Sequence, residues 1–381
     1  MKDSVVSAVS YQQDPEAAAA ELAQQLNRPD IGYVLFFCAA SYPLSALGRA
    51  LQVEFGDMPM AGCTSGGEIT AQGYRAHSLT AIGFRRDGFH IDGGLLDGLA
   101  AVDLDMAQQQ IAELTRRGEG KRVAPLSGHS FVITLVDGLS VLEEQVLAAL
   151  NASLGSLPQV GASAADYGCE ARETWVYFDG EFRADAAVVL LVNTCFDFKV
   201  FSCHHLLPAT EKLVVTQACE DMRCVTELNG YPAALEYARI TGLELDQLNI
   251  ETLALNPIAV KLGDQYYVRA VKQCNPDLSL TFYSAIEAGV VLTRMIRSDM
   301  RQHLLQTLQE VEQEIGAAQL VLGFDCLARR LETQVLALEE DMSSVLRRFR
   351  VIGFNTYGEH YSGMVFNQTF TGVAIGQISH E

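Results

Sequence analysis

The feature that most constrains this chain is a unit of strand, helix and glycine-containing turn that occurs three times. In the first copy the apolar run Tyr33-Val-Leu-Phe-Phe-Cys38 is followed by Leu44, Leu47, Leu51 and Phe55 at helical spacing, then by Met58-Pro-Met-Ala-Gly-Cys-Thr-Ser-Gly-Gly-Glu68. The second runs from Phe131-Val-Ile-Thr-Leu-Val136 through Leu142, Val146, Leu147, Leu150 and Leu154 to Leu157-Pro-Gln-Val-Gly-Ala-Ser-Ala-Ala-Asp-Tyr-Gly168. The third starts at Gln319-Leu-Val-Leu-Gly-Phe324, continues through Leu331, Val335, Leu338, Met342 and Val345, and closes on Val351-Ile-Gly-Phe-Asn-Thr-Tyr-Gly-Glu359. Apolar runs bounded by turn residues and followed by a 3.6-residue period predict strand, helix, strand and turn.

Equivalent positions carry equivalent chemistry. Gly62, Gly161 and Gly353 take one place, and Thr64, Ser163 and Asn355 another; Gly67 and Gly358 precede Glu68 and Glu359. Glycine admits positive φ and close backbone approach, and Ser, Thr and Asn cap turns through their side chains. Such turns at strand ends hold ligands or simply lead the chain out of a buried strand. After each turn a β-like stretch follows, at His77–Phe84, Ala186–Val192 and Gly372–Gly376, and predicts antiparallel pairing beside the crossover. The fold class is therefore α/β, with mixed sheets built from repeated strand-helix-strand units and flanking hairpins.

At 381 residues the chain exceeds one hydrophobic core. We divide it into two domains, 1–222 and 223–381. The second opens with a helix start at Tyr231-Pro232 and meandering strands around Pro257–Leu262, Tyr266–Val271 and Leu278–Tyr283. A formal charge of −20 argues against nucleic acid and anionic membranes as partners. The N-terminal stretch has no basic segment leading into an apolar one, and no run is apolar enough to span a bilayer, which predicts a cytoplasmic protein. Nine cysteines scattered along such a chain fit reduced, mostly buried thiols.

Five segments in order, Gly62-Cys-Thr-Ser-Gly-Gly-Glu-Ile69, Gly161-Ala-Ser-Ala-Ala-Asp166, Glu227-Leu-Asn-Gly-Tyr-Pro-Ala-Ala-Leu-Glu-Tyr237, Phe324-Asp-Cys-Leu-Ala-Arg-Arg330 and Gly353-Phe-Asn-Thr-Tyr-Gly-Glu359, resemble the motifs of FIST proteins. The resemblance spans nearly the whole chain and implies an intracellular small-ligand sensory protein with N-terminal and C-terminal FIST domains. A stand-alone member resembles the branch that binds haem b through its iron, senses nitric oxide, and regulates a sensor histidine kinase or cyclic-dinucleotide signalling. It leaves a homodimer open. The alternative is a haem-free FIST domain that binds a small metabolite such as an amino acid.

Haem requires an axial donor, and histidine is the usual one for a gas sensor. His204 and His205 stand where FIST proteins more often carry Arg-Pro, so the chain departs from the family there. Alternation along Cys195-Phe-Asp-Phe-Lys-Val-Phe201 puts Phe196, Phe198, Val200 and Ser202 on one face with His204, and Phe201 and Cys203 on the other with His205. His204 is the first choice of iron ligand. His360, beside the third turn, is the second, and is equally readable as a turn residue bonded to Glu359. Arg329 and Arg330 are candidates for the haem propionates, against the default of exposed helical charge. Glu68 and Glu359 either contact an amine-bearing ligand or brace their loops.

Other chemistries have weaker signals. Cys203, His204, His205, Cys219 and Cys224 suggest zinc, but adjacent histidines do not match the second half of a structural site. Cys63 is a conceivable nucleophile, yet Ser65 lacks the Gly-x-Ser-x-Gly setting, and neither Gly-x-Gly-x-x-Gly nor a phosphate-binding Gly-x4-Gly-Lys-Ser/Thr occurs. The expectation is a binding protein, not an enzyme.

Overall fold

The computed structural model describes residues 4–167, 173–219 and 222–378. Gly168 of the second turn and Cys169 therefore lie outside the described residues. The first repeat is β1 (Val5–Ser10), α1 (Pro15–Leu26), β2 (Ile31–Ala39), α2 (Leu44–Phe55), β3 (Met60–Ser65), a hairpin of β4 (Glu68–Thr70) and β5 (Gly73–Arg75), and β6 (Leu79–Arg85). The second has the same order: β7 (Phe89–Asp97), α3 (Leu104–Arg117), β8 (Ser130–Val136), α4 (Glu143–Ser153), β9 (Gln159–Ser163), the hairpin of β10 (Val176–Phe178) and β11 (Glu181–Arg183), and β12 (Ala186–Thr194).

The third repeat opens with β13 (Phe196–Cys203) and is then interrupted by an insertion. The insertion comprises β14 (Leu206–Cys219), β15 (Cys224–Leu228), β16 (Tyr231–Pro232), α5 (Ala233–Thr241), α6 (Ile250–Leu255), β17 (Ile258–Leu262), β18 (Gln265–Val268), β19 (Val271–Cys274), β20 (Leu280–Phe282) and β21 (Val291–Arg297). The repeat resumes with α7 (Met300–Ile315), β22 (Leu320–Cys326), α8 (Leu327–Val335), α9 (Glu339–Arg348), β23 (Val351–Thr356), the hairpin of β24 (Glu359–Tyr361) and β25 (Met364–Phe366), and β26 (Phe370–Ile378). Residue 222 falls in the turn between β14 and β15, and β13 pairs with β26 near the other end of the chain.

Each repeat supplies four strands to one sheet and lends its hairpin to another. The sheets run β1-β6-β2-β3-β10-β11, β7-β12-β8-β9-β24-β25 and β13-β26-β22-β23-β4-β5, so repeat one lends to three, two to one, and three to two. In each, the two strands around the crossover helix are parallel and the strand after the hairpin is antiparallel. The mixed sheets expected from the repeat are thus present.

In these three sheets the strands before the crossover helix are covered on both faces, which explains why they read as continuous apolar runs. Leu35 and Phe37 of β2, Ile133 and Leu135 of β8, and Leu322 and Phe324 of β22 meet in one central core. Val34, Phe36 and Cys38 pack outward against α1 and α2, Val132 and Val136 against α3 and α4, and Val321 against α7 and α9. The third helix is not continuous as its spacing predicts: the chain breaks at Ala337, which has φ 53, and Val335 is exposed.

Gly62, Gly161 and Gly353 answer to close approach, not to positive φ. They sit opposite Phe36, Thr134 and Gly323 on the neighbouring parallel strand. A Cβ on them would lie 2.4, 2.0 and 1.7 Å from the carbonyl oxygens of those residues. Backbone cannot yield as a flexible side chain can. We expect Gly353→Ala to cost about 3 kcal/mol or more in denaturant unfolding; an unchanged midpoint would refute the close approach.

Candidate functional site

The three glycine turns emerge at the carboxyl ends of β3, β9 and β23 and bond to one another. Gly66 N–H donates to the Asn355 carbonyl at 2.8 Å, and Asn355 N–H to that of Gly67 at 2.7 Å. Ser163 N–H donates to the Gly358 carbonyl at 2.8 Å and Ala165 N–H to that of Thr64 at 3.0 Å. The Thr356 hydroxyl donates to the Ser163 carbonyl at 2.6 Å, and the Tyr357 hydroxyl donates to Asp166. Thr64, Gly67, Glu68, Gly353, Asn355, Gly358 and Glu359 are all buried. The backbone groups of the turns therefore bond to one another, and these buried residues line none of the main cavities.

The two glutamates brace this junction. Glu68 accepts from the Ser78 N–H at 3.1 Å and the Ser78 hydroxyl at 2.6 Å, and also from Ser65. Glu359 repeats the arrangement with Thr369, at 3.1 Å from its N–H and 2.7 Å from its hydroxyl. In the second repeat Asp137 does the equivalent work, accepting from Asp185 N–H at 2.7 Å. Burial raises Glu68 from the ordinary 4.5 to about 7 against the pull of its Ser65 and Ser78 hydrogen bonds, and burial likewise holds Glu359 well above the usual range.

The histidines divide differently from the expected ranking. His204 is exposed and His205 is fully buried. The alternation itself is right: Phe198 and Val200 pack on the central core while Phe201 and Cys203 pack under α7. Both faces of β13 are thus covered, and beyond Val200 it is the first face that opens to solvent. His205 Nδ1 accepts from Arg329 Nη1 at 3.1 Å, which leaves Nε2 to donate to Glu332, with both carboxylate oxygens at 3.0 Å. Burial lowers the His205 pKa despite Glu332, in keeping with a neutral ring.

Arg329 and Arg330 are buried, not exposed helical charges. Arg329 Nε donates to Asp325 at 2.7 Å, and Tyr74 donates its hydroxyl to the same carboxylate. Arg330 pairs with Glu339 at 2.7 Å and lies 4.3 Å over the Tyr74 ring. His360 is buried with Nδ1 at 2.9 Å from the Thr134 hydroxyl and Nε2 at 3.1 Å from both Ser163 Oγ and Glu143. Its partner is Glu143, which no sequence pattern marked, and not Glu359.

These placements test haem. An axial ligand needs a ring nitrogen facing a cavity; His205 and His360 have both nitrogens engaged and line none of the main cavities, so these two do not fit, while Arg329 and Arg330 each pair with a carboxylate of the chain and line none of those cavities either. His204 keeps Nε2 free, its Nδ1 accepting from Leu206 N–H at 3.3 Å. Partial burial, with His205 and Arg329 nearby, lowers its pKa and keeps the ring neutral. The zinc group does not assemble: Cys219 and Cys224 lie at the far end of β14 from Cys203 to His205, and no cluster of metal-ligating residues occurs among the described residues. Cys63 is fully buried and burial pushes its thiol pKa far up, the opposite of an activated thiolate.

An open groove does lie next to the first turn. It encloses about 590 Å³ at the start of α2 and is lined by Tyr42, Leu44, Arg49, Glu173, Trp175 and Phe182, among others. Thr64 holds its Trp175 wall, its N–H donating to the Trp175 carbonyl at 2.9 Å and its hydroxyl accepting from Trp175 N–H at 3.1 Å. Trp175 is the sole tryptophan of the chain, a signal that sequence reading passed over. Helix α2 follows its N-cap Pro43 with no side-chain cap, and Leu44 and Ser45 of its first turn line the groove.

The raised pKa of Glu68 carries a pH signature. Below 4.5 the carboxyl is protonated folded or unfolded; between 4.5 and about 7 only the folded chain keeps the proton, so rising pH favours unfolding. Glu68→Gln removes this dependence. Wild type should lose on the order of 3 kcal/mol relative to the variant between those pH values in paired denaturation curves, and parallel curves would show that Glu68 ionises freely.

The FIST N domain model matches residues 32–231 and the FIST C domain model residues 233–362. No curated protein matches the chain. Among solved structures, a cyanuric acid hydrolase described as evolutionary innovation by structural concatenation aligns at 10% identity, covering 98% of this chain and 99% of that one, with a TM-score of 0.38. The T. maritima PurL complexed with AMPPCP aligns at 11% identity, covering 98% and 72%, with a TM-score of 0.21. No helix among the described residues is long and apolar enough to cross a membrane. With both domain models matched across most of its length, the chain belongs to the FIST family, whose domains are sensory domains of signal transduction.

Proposed function

We propose that this FIST chain is a non-catalytic cytoplasmic receptor for a small zwitterion such as an amino acid, bound in the groove at the start of α2. The observation that carries the reading is the groove's chemistry. Arg49, with the N-terminal end of α2 beside it, suits a carboxylate, Glu173 suits an ammonium group, and Trp175 and Phe182 suit an apolar side chain. The Thr64 hydrogen bonds couple that site to the interlocked turns, so occupancy at Trp175 has a route to the other two repeats. Output passes by protein contact to a partner such as a sensor histidine kinase or a cyclic-dinucleotide enzyme. Because Trp175 is unique, its emission reports the groove directly. Titration with the common amino acids should shift that emission for at least one, and Arg49→Ala should weaken that binding about tenfold or more; unaltered emission for all of them sinks the reading.

One observation favours a second reading, haem with nitric oxide as its signal: His204 presents a neutral ring with a free Nε2. Protein expressed with ample haem should then show a Soret band that moves on adding nitric oxide and disappears in His204→Ala. A colourless protein would end this second reading and leave the first intact.

A further inference from the structure

The hairpin that opens the insertion carries a cross-strand pair of thiols. Cys219, the last residue of β14, is the direct antiparallel partner of Cys224, the first residue of β15. Directly opposed residues of antiparallel strands have Cα atoms about 4.5 to 5.5 Å apart and side chains on the same face, inside the roughly 4.4 to 6.8 Å that a disulfide spans. Both are free thiols. Cys219 is exposed and Cys224 is buried, with Asn275 Nδ2 donating to its sulfur at 3.9 Å. The next thiol, Cys274 on β19, is separated from β15 by the whole of β20, about two strand spacings, or roughly 9.6 Å, and beyond disulfide reach.

We propose that Cys219 and Cys224 form a redox-sensitive dithiol, closed to a disulfide by a peroxide. The exposed Cys219 sulfur attacks one peroxide oxygen; the O–O bond breaks and the departing hydroxide takes up the thiol proton and leaves as one water, giving the sulfenic acid. The Cys224 sulfur then displaces the sulfenic oxygen as a second water, forming the S–S bond. Two thiols are oxidised and one peroxide is reduced to two waters.

The position links this chemistry to the seam between the insertion and the second repeat. Arg223, next to Cys224, has φ 49 and is buried. Its guanidinium pairs with Glu144 of α4 at 2.6 Å and donates to the Tyr283 carbonyl, while Glu144 also accepts from Ala285 N–H at 2.8 Å. Closing the disulfide fixes the corner from which Arg223 reaches the second repeat.

The test treats the full chain with hydrogen peroxide, alkylates remaining thiols with N-ethylmaleimide and maps the peptides. We expect one linked peptide containing Cys219 and Cys224, about 2 Da lighter than the dithiol and restored by dithiothreitol. Cys219→Ser, at an exposed site, should abolish it, and Cys274→Ser should leave it in place. Cys219 found as sulfinic acid with Cys224 still alkylated, Cys219 joined to Cys274 or to another chain, or loss of the link in Cys274→Ser would each overturn the proposal.

Discussion

Everything in this fold depends on the triangle of hydrogen bonds among the three glycine turns. Buried backbone amides and carbonyls must find partners, and here each turn finds them on the turns of the other repeats. Gly66 and Gly67 answer Asn355, Gly358 answers Ser163, and Thr64 answers Ala165. The carboxylates of Glu68, Glu359 and Asp137 then hold the strands that follow or flank each turn. A pocket formed by the turns themselves would cost these bonds, and the open groove lies outside them, at the start of α2 where Trp175 hangs from Thr64.

Two further links tie the insertion to the three repeats. His205, at the point where the chain leaves the third repeat, is clamped between Arg329 and Glu332, and Arg223 returns the contact through Glu144. Removing one member of such a network leaves a buried charge or polar group without its partner, which is costly. Both links use ionisable groups, so the seat of the insertion responds to charge more readily than the apolar core does.

Much of the architecture was legible in the residues. The apolar runs at Tyr33–Cys38 and Phe131–Val136 and the aligned glycines marked the strands and the repeat, because burial on both faces leaves a strong signal. The exchanged hairpins were not legible: Glu68–Thr70 and Gly73–Arg75 are three-residue strands with no period of their own, and their partners lie in another repeat. Alternation along β13 separated the rings of His204 and His205 correctly, but which face stays covered is decided by α7 and α8, more than ninety residues away. Arg329 and Arg330 read as surface charges because their partners Asp325, Glu339 and Tyr74 are brought in by the fold. Arg49 and Trp175, which meet in the groove, belong to different repeats, so no local spacing links them.

The exchange of hairpins bears on how the chain is made. The sheet built on β8 and β9 has no edge hairpin until residues Glu359–Phe366 exist, and β13 waits for Phe370–Ile378. The span matched by the FIST N model, 32–231, therefore holds the hairpin of the first sheet but not that of the second as it leaves the ribosome. Strand edges exposed in this interval are templates for pairing with another chain. The second and third sheets thus receive their closing strands only after the insertion has been made, whereas the first, served by the hairpin of the second repeat, is complete much earlier.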